Sequence, residues 1–166
     1  MPIFFFDTSA LVKRYVQEDG TDWVRTITES SSQNVIYIAE ITGVEVMAAI
    51  TNRMRKTLKE GGITESDGKT AIKEFRDDFE NQYMVIEITG DIVSKAMDLT
   101  EHHPLRAYDA MQLAVALEIE PQIKAMVTST TPASAIPTLI FVSSDKDLNK
   151  AAIAEGLTLE DPQAQP

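Results

Sequence analysis

The sequence predicts an α/β fold with a mostly parallel central sheet. Short apolar runs typical of buried strands alternate with longer segments whose apolar residues recur at helical spacing, as in sheets with helical crossovers. The chain has 166 residues, of which 43% are hydrophobic, enough for one compact domain with a sizeable core. We expect this domain to cover residues 1–161 and residues 162–166 to form a flexible tail. The strand candidates are residues 3–6, 34–39, 84–88 and 139–144.

The first half of the chain also carries four predicted helices. They are residues 9–16, 20–28, 42–56 and 64–81. The third is too long for a strand and rich in helix formers, and Gly61 and Gly62 end it. The fourth is amphipathic and opens at Thr64, a residue type that caps helices. Two helices joined by a glycine pair predict a helical hairpin.

The second half of the chain continues the alternation. A helix at residues 91–100 follows the third strand, and Pro104 precedes a further helix at residues 106–118. Residues 121–137 contain three prolines and a polar stretch, which we interpret as a surface excursion and not as a domain boundary.

Composition argues against several classes of protein. The chain has no cysteine, and its only two histidines are adjacent, so neither disulfides nor a zinc site is expected. Its start lacks the features of a secretory signal, and no run is long enough to span a membrane, so we expect a cytoplasmic protein. The net charge of −11 argues against nonspecific coating of nucleic acid. It is compatible with an enzyme whose carboxylates hold cations.

Two aspartates directly follow apolar runs that we predict to be strands. Asp7 follows residues 3–6, and Asp145 follows residues 139–144. In an open α/β sheet, ligands bind in the crevice outside the carboxyl ends of the strands, where both side chains would lie. Each also precedes a predicted helix, so an N-cap role is an alternative explanation for either one alone.

Two further acids lie on predicted helices. Asp109 lies in the first turn of a predicted helix that is apolar almost all round, and a carboxylate there needs a partner. The helix dipole or Arg106, three residues earlier, could supply it. Glu45 shares a helix face with Ile41 and Ala49 and is weak evidence alone, because glutamate is common on helices.

Electrostatics connects these four carboxylates. Carboxylates within a few ångströms of each other cannot all ionise at pH 7 unless a cation is present. Mg²⁺ or Mn²⁺ suits them, because these hard cations take carboxylate oxygens and keep several waters. Such a site favours phosphodiester hydrolysis, in which the metal polarises the phosphoryl oxygen and activates a bound water.

Four segments, in chain order residues 6–15, 42–46, 105–114 and 141–148, extend over nearly the whole chain. Together they resemble the PIN-domain family, in particular VapC-type ribonuclease toxins. The resemblance implies a three-layer α/β/α PIN-like fold with a protruding helical hairpin. It also implies a Mg²⁺- or Mn²⁺-dependent ribonuclease that cuts single-stranded or loop RNA, forms a homodimer and is inhibited by a small antitoxin protein.

The resemblance also assigns site residues. The metal-binding and catalytic quartet would be Asp7, Glu45, Asp109 and Asp145, and Ser9 and Ser143 would position water, metal or phosphate. Ser143 stands where the family often has threonine, and the polar stretch before residue 139 is longer than is usual for the family.

Basic residues near the predicted site are candidates for phosphate contacts. Lys13 and Arg14 are the nearest in sequence to Asp7. Arg106 either faces the substrate phosphate or pairs with Asp109, and we favour pairing slightly. Two other functions stay open: a PIN-fold module that binds RNA or protein without turnover, and a nuclease or phosphatase acting on another phosphoester.

Overall fold

The protein is described by a computed structural model, in which residues 2–126 and 137–165 are placed. Their strands form one parallel sheet in the order β3-β2-β1-β4-β5. The predicted α/β class with a parallel sheet is therefore confirmed. Most of the predicted excursion, residues 127–136, lies outside the described residues. The strands are β1 (Ile3–Phe6), β2 (Val35–Ala39), β3 (Met84–Ile86), β4 (Leu139–Val142) and β5 (Thr158–Glu160).

Seven helices cover both faces of the sheet within the described residues. One face carries α5, α6 and α7, and the other carries α1 to α4, each with its own apolar cluster. The result is the predicted three-layer α/β/α arrangement. The helices are α1 (Thr8–Tyr15), α2 (Thr21–Thr28), α3 (Glu40–Met54), α4 (Glu65–Asn81), α5 (Gly90–His102), α6 (Ala107–Ala125) and α7 (Lys146–Ala154).

Strand β1 lies at the centre of the sheet because its residues are apolar on both faces. Phe5 is fully buried toward α6, where its ring stacks on Phe141 of β4 with centroids 5.6 Å apart. Phe4 and Phe6 are buried on the opposite face. A run that is apolar on both faces is typical of a central parallel strand, and it fixes where the chain leaves the sheet at Asp7.

Helices α3 and α4 form the predicted helical hairpin. The connection contains a one-turn 3-10 helix (Leu58–Glu60) and then Gly61, whose φ of +78° favours glycine. Gly68 allows α4 to lie close against α3, because a Cβ there would be 2.3 Å from Cγ of Met54.

Helix α6 continues beyond its predicted end at residue 118. It extends to Ala125 and includes Pro121, so the excursion predicted from residue 121 is wrong for residues 121–125. Proline removes a backbone donor inside a helix and is normally unfavourable there. Ile119 and Ile123 are both buried in the core, and this burial offsets the cost.

The chain end contains a short helix. Within the segment predicted to be a tail, Pro162–Ala164 form a one-turn 3-10 helix whose N-cap is Asp161. Pro162 is buried against Gly20, where an added Cβ would be 2.4 Å from the Pro162 carbonyl oxygen. Among the helices placed in the structure, none is long and apolar enough to cross a membrane.

Candidate active site

Asp7 and Asp145 lie together at the carboxyl edge of the sheet. Strands β1 and β4 are parallel neighbours, and the N–H of Asp7 donates to the carbonyl of Val142 at 3.1 Å. Both aspartates also cap helices. Asp7 accepts from the N–H of Ala10 at 3.0 Å, and Asp145 accepts from the N–H of Leu148 at 2.8 Å. The N-cap explanation is therefore correct for both, and capping fixes where each carboxylate lies.

The Asp7 carboxylate is buried, with 3% of the residue exposed. Burial raises its pKa to about 7, although hydrogen bonds from Ala10, Ser9 and Ser143 act in the opposite direction. Among residues 2–126 and 137–165, no lysine, arginine or histidine forms an ion pair with it. A buried carboxylate without a cationic partner is stable only when it is protonated or when a cation binds to it.

Two serines connect the loops that follow β1 and β4. The Ser9 hydroxyl lies 2.9 Å from both Asp7 oxygens and 3.5 Å from the Ser143 hydroxyl. It also accepts from the N–H of Ser144 at 2.9 Å, and the Ser143 hydroxyl accepts from the N–H of Asp145 at 3.1 Å. These bonds hold the two aspartate loops in a fixed relation.

Helices α3 and α6 bring Glu45 and Asp109 toward the same edge. Burial raises the pKa of Asp109, and the negative charges of Asp145 and Glu45 raise it further, while Arg106 lowers it. Glu45 is linked to the start of α1 by a 2.7 Å hydrogen bond from the Thr8 hydroxyl. The structure thus places all four predicted acids around the carboxyl ends of β1 and β4.

Carboxylate oxygens are the ligands that a hard divalent cation prefers, and four carboxylates lie toward this edge of the sheet. Within the described ranges, no three acidic or histidine side chains are already close enough to hold a metal ion. Mg²⁺ is commonly held by one or two carboxylates and retains several waters, so a tight protein cage is not required. The buried Asp7 carboxylate and the mutual repulsion at Asp109 are the features that a cation would relieve.

The basic residues near Asp7 do not support the phosphate contacts predicted for them. Lys13 is 2% exposed, and its Nζ lies 3.2 Å from Oε2 of Glu18. Arg14 donates to Asp78 at 2.8 Å. Both residues lie on α1, and their charged groups are held in ion pairs with Glu18 and Asp78. Arg106 is exposed at the start of α6 and forms no ion pair with Asp109 within the described residues.

Three polar residues beside Glu45 are missing from the sequence prediction. Thr8, Thr42 and Gln112 form a hydrogen-bonded group with the Glu45 carboxylate. Only Gln112 carried a signal in the sequence, because it is the sole polar residue between Ala110 and Leu117. A lone amide in a buried apolar helix needs a partner.

Comparison with known proteins agrees with this architecture. The family model for the PIN domain matches residues 4–154. Ribonuclease VapC45 and Ribonuclease VapC49 of Mycobacterium tuberculosis are each 26% identical to this chain over 166 residues, with both chains covered in full. A toxin–antitoxin complex from Klebsiella pneumoniae aligns with a TM-score of 0.57 at 18% identity, covering 95% of this chain and 96% of that one. The predicted resemblance is confirmed, and the chain belongs to the PIN-domain family.

Proposed function

We propose that this protein is an endoribonuclease that hydrolyses RNA phosphodiester bonds with Mg²⁺ or Mn²⁺ at its four acids. The observation that carries the proposal is the buried Asp7 carboxylate, whose pKa is raised to about 7. It lies at the sheet edge beside Asp145, toward which Glu45 and Asp109 also converge. The Mycobacterium tuberculosis relatives are named ribonucleases, which supports RNA as the substrate.

Each side chain would have a distinct role at such a site. Asp7, Glu45, Asp109 and Asp145 would hold the metal, which polarises the phosphoryl oxygen and lowers the pKa of a bound water. Ser9 keeps both Asp7 oxygens in place, and Ser143 keeps the Asp145 loop in place. Arg106, exposed at the start of α6, would be one cation available to the substrate phosphate.

The proposal includes a toxin role in the cytoplasm, with a cognate antitoxin as inhibitor. Its support is the Klebsiella pneumoniae structure, which is a toxin–antitoxin complex of the same fold, together with the names of the relatives. Growth arrest on induction, relieved by co-expression of a neighbouring small protein, is the expected behaviour in cells.

The proposed activity is tested by incubating the purified protein with total cellular RNA and mapping new ends. We expect discrete cuts with Mn²⁺ or Mg²⁺ and none with a chelator. Asp145→Asn should lose cleavage, because asparagine keeps the helix cap but removes the charge. Asp147→Asn is the matched control, since Asp147 is exposed and its carboxylate forms an ion pair with the exposed Lys150. No cuts by a folded, metal-bound protein would favour a binding module or another phosphoester.

We also propose a homodimer formed through α5 and α6. Val93 and Met97 are 41% and 64% exposed, and with Ala107 and Met111 they border an apolar groove of about 320 Å³. An apolar face of this kind suits a second copy related by a two-fold axis. Because Ala107 of this groove lies two residues before Asp109, the two copies of the site would lie beside the interface.

The dimer is tested by sedimentation equilibrium. Met97→Glu is expected to convert a dimer to a monomer, because it places a charge in the centre of the apolar face. Ile153→Glu is the control, as Ile153 is 59% exposed on α7 and does not line this groove. A monomeric wild-type protein, or a dimer unaffected by Met97→Glu, would contradict the proposal.

A further inference from the structure

Gln112 is a buried amide for which the proposed mechanism has no role. It lies one turn after Asp109 on α6 and is 2% exposed. Its Nε2 donates to Oε2 of Glu45 at 2.8 Å and lies 3.1 Å from the Thr8 hydroxyl. The Thr42 hydroxyl lies within hydrogen-bond distance of both amide atoms. The Gln112 amide therefore links α6 to α3 and α1 next to Glu45.

Both hydrogen bonds to the Glu45 carboxylate end on the same oxygen. Oε2 accepts from the Thr8 hydroxyl at 2.7 Å and from Gln112 at 2.8 Å. Across the described part of the chain, Oε1 accepts no hydrogen bond. Two donors on one oxygen fix the carboxylate plane and leave the other oxygen available for a ligand.

Burial of an amide at this position needs a reason. The neighbouring α6 positions hold Ala110, Leu113 and Ala114, all fully buried, and an apolar residue would fill the Gln112 position without the cost of desolvating an amide. Gln112 recovers that cost only through its hydrogen bonds, one of which goes directly to a site carboxylate.

We propose that Gln112 is a positioning residue that, together with Thr8, orients Glu45 so that Oε1 faces the metal site. This inference rests on the proposed function, because it treats Glu45 as a metal ligand. Hydrogen-bond donors behind ligating carboxylates orient them, and losing such a partner typically weakens metal binding by about 10- to 100-fold.

The test is calorimetric titration of the purified, RNA-free protein with Mn²⁺. Gln112→Met keeps the side-chain volume and removes the donor, and we expect Mn²⁺ affinity to fall by about 10-fold or more. Gln122→Met is the matched control, because it makes the same change at an exposed position of the same helix. Thr8→Val removes the second hydrogen-bond donor to Glu45. It provides the same test if Gln112→Met fails to fold.

A double-mutant cycle separates positioning from a purely structural role. If Gln112 acts through Glu45, Gln112→Met should have no further effect on Mn²⁺ affinity in a Glu45→Gln background. Wild-type affinity in Gln112→Met, or an equal loss in both backgrounds, would overturn the inference and leave the proposed function intact. A folded wild-type protein that binds no Mn²⁺ would instead overturn the proposed function itself.

Discussion

Asp7→Asn is expected to stabilise the metal-free protein at pH 8 and to abolish RNA cleavage. Asparagine can still accept from the N–H of Ala10, and its amide can donate to the Ser9 hydroxyl, which lies 2.9 Å from both carboxylate oxygens. The substitution thus preserves the buried contacts while removing the charge. Opposite effects on stability and activity are the signature of a residue retained for function at the expense of stability.

The stability gain should depend on pH. Burial raises the pKa of Asp7 from 3.8 to about 7 in the folded protein, so between these values the folded state binds a proton that the unfolded state has released. The free energy of unfolding therefore falls as pH rises from about 4 to about 7 and then levels off. A shift of this size corresponds to at most about 4 kcal/mol, and Asp7→Asn removes this dependence.

Urea unfolding in chelator at pH 5 and pH 8 measures this effect. The difference in stability between Asp7→Asn and wild type should be larger at pH 8, by about 1 kcal/mol or more. Asp147→Asn, an exposed acid in the first turn of α7, should show no such difference. Added Mn²⁺ should stabilise the wild-type protein at pH 8 and not Asp7→Asn. Parallel pH profiles for wild type and Asp7→Asn would count against a charged, buried Asp7.

The central strands and the hairpin could be predicted because local sequence determines them. Strand β1 is apolar on both faces, and Gly61 supplies the turn between α3 and α4. The end of α6 could not be predicted locally. Pro121 normally stops a helix, but burial of Ile119 and Ile123 depends on what the rest of the chain places against them.

The positions of the four acids could be predicted from the strand ends and the family pattern, but their neighbours could not. Lys13 is close to Asp7 in sequence, yet the turn after α1 brings Glu18 to it and removes it from the site. Gln112 meets Glu45 only because α3 and α6 converge at the same edge, a contact between residues 67 positions apart. Such pairings are properties of packing and leave no local pattern.

Removal of the Asp78 carboxylate is the second change with a large expected effect. Asp78 lies on α4, and its Oδ2 accepts from Nε of Arg14 at 2.8 Å and from the Tyr15 hydroxyl at 2.7 Å. The Tyr15 hydroxyl also hydrogen-bonds with that of Tyr83. Burial, ahead of the neighbouring charges, raises the pKa of both tyrosines, so their hydroxyls stay protonated. This network joins α1 to α4.

Asp78→Leu is expected to lower the free energy of unfolding by about 3 kcal/mol, because it leaves the Arg14 guanidinium, which is 19% exposed, without its carboxylate and one hydroxyl proton of the tyrosine pair without an acceptor. Urea unfolding at pH 7 measures the loss. Asp77→Leu is the control, since it makes the same change one residue earlier at an exposed position. Equal stability of the two variants would show that the network contributes nothing.

Replacing both charges should recover part of the loss. In the double variant Arg14→Met/Asp78→Leu, no buried charge is left unpaired. Apolar replacement of a buried ion pair often leaves the free energy of unfolding unchanged. Because α1 begins next to Asp7 and carries Ser9, loosening its attachment to α4 should also weaken Mn²⁺ binding in Asp78→Leu. The double variant should regain both stability and Mn²⁺ affinity. Regained stability without regained affinity would instead assign Arg14 or Asp78 a direct effect on the site, which their contacts do not predict.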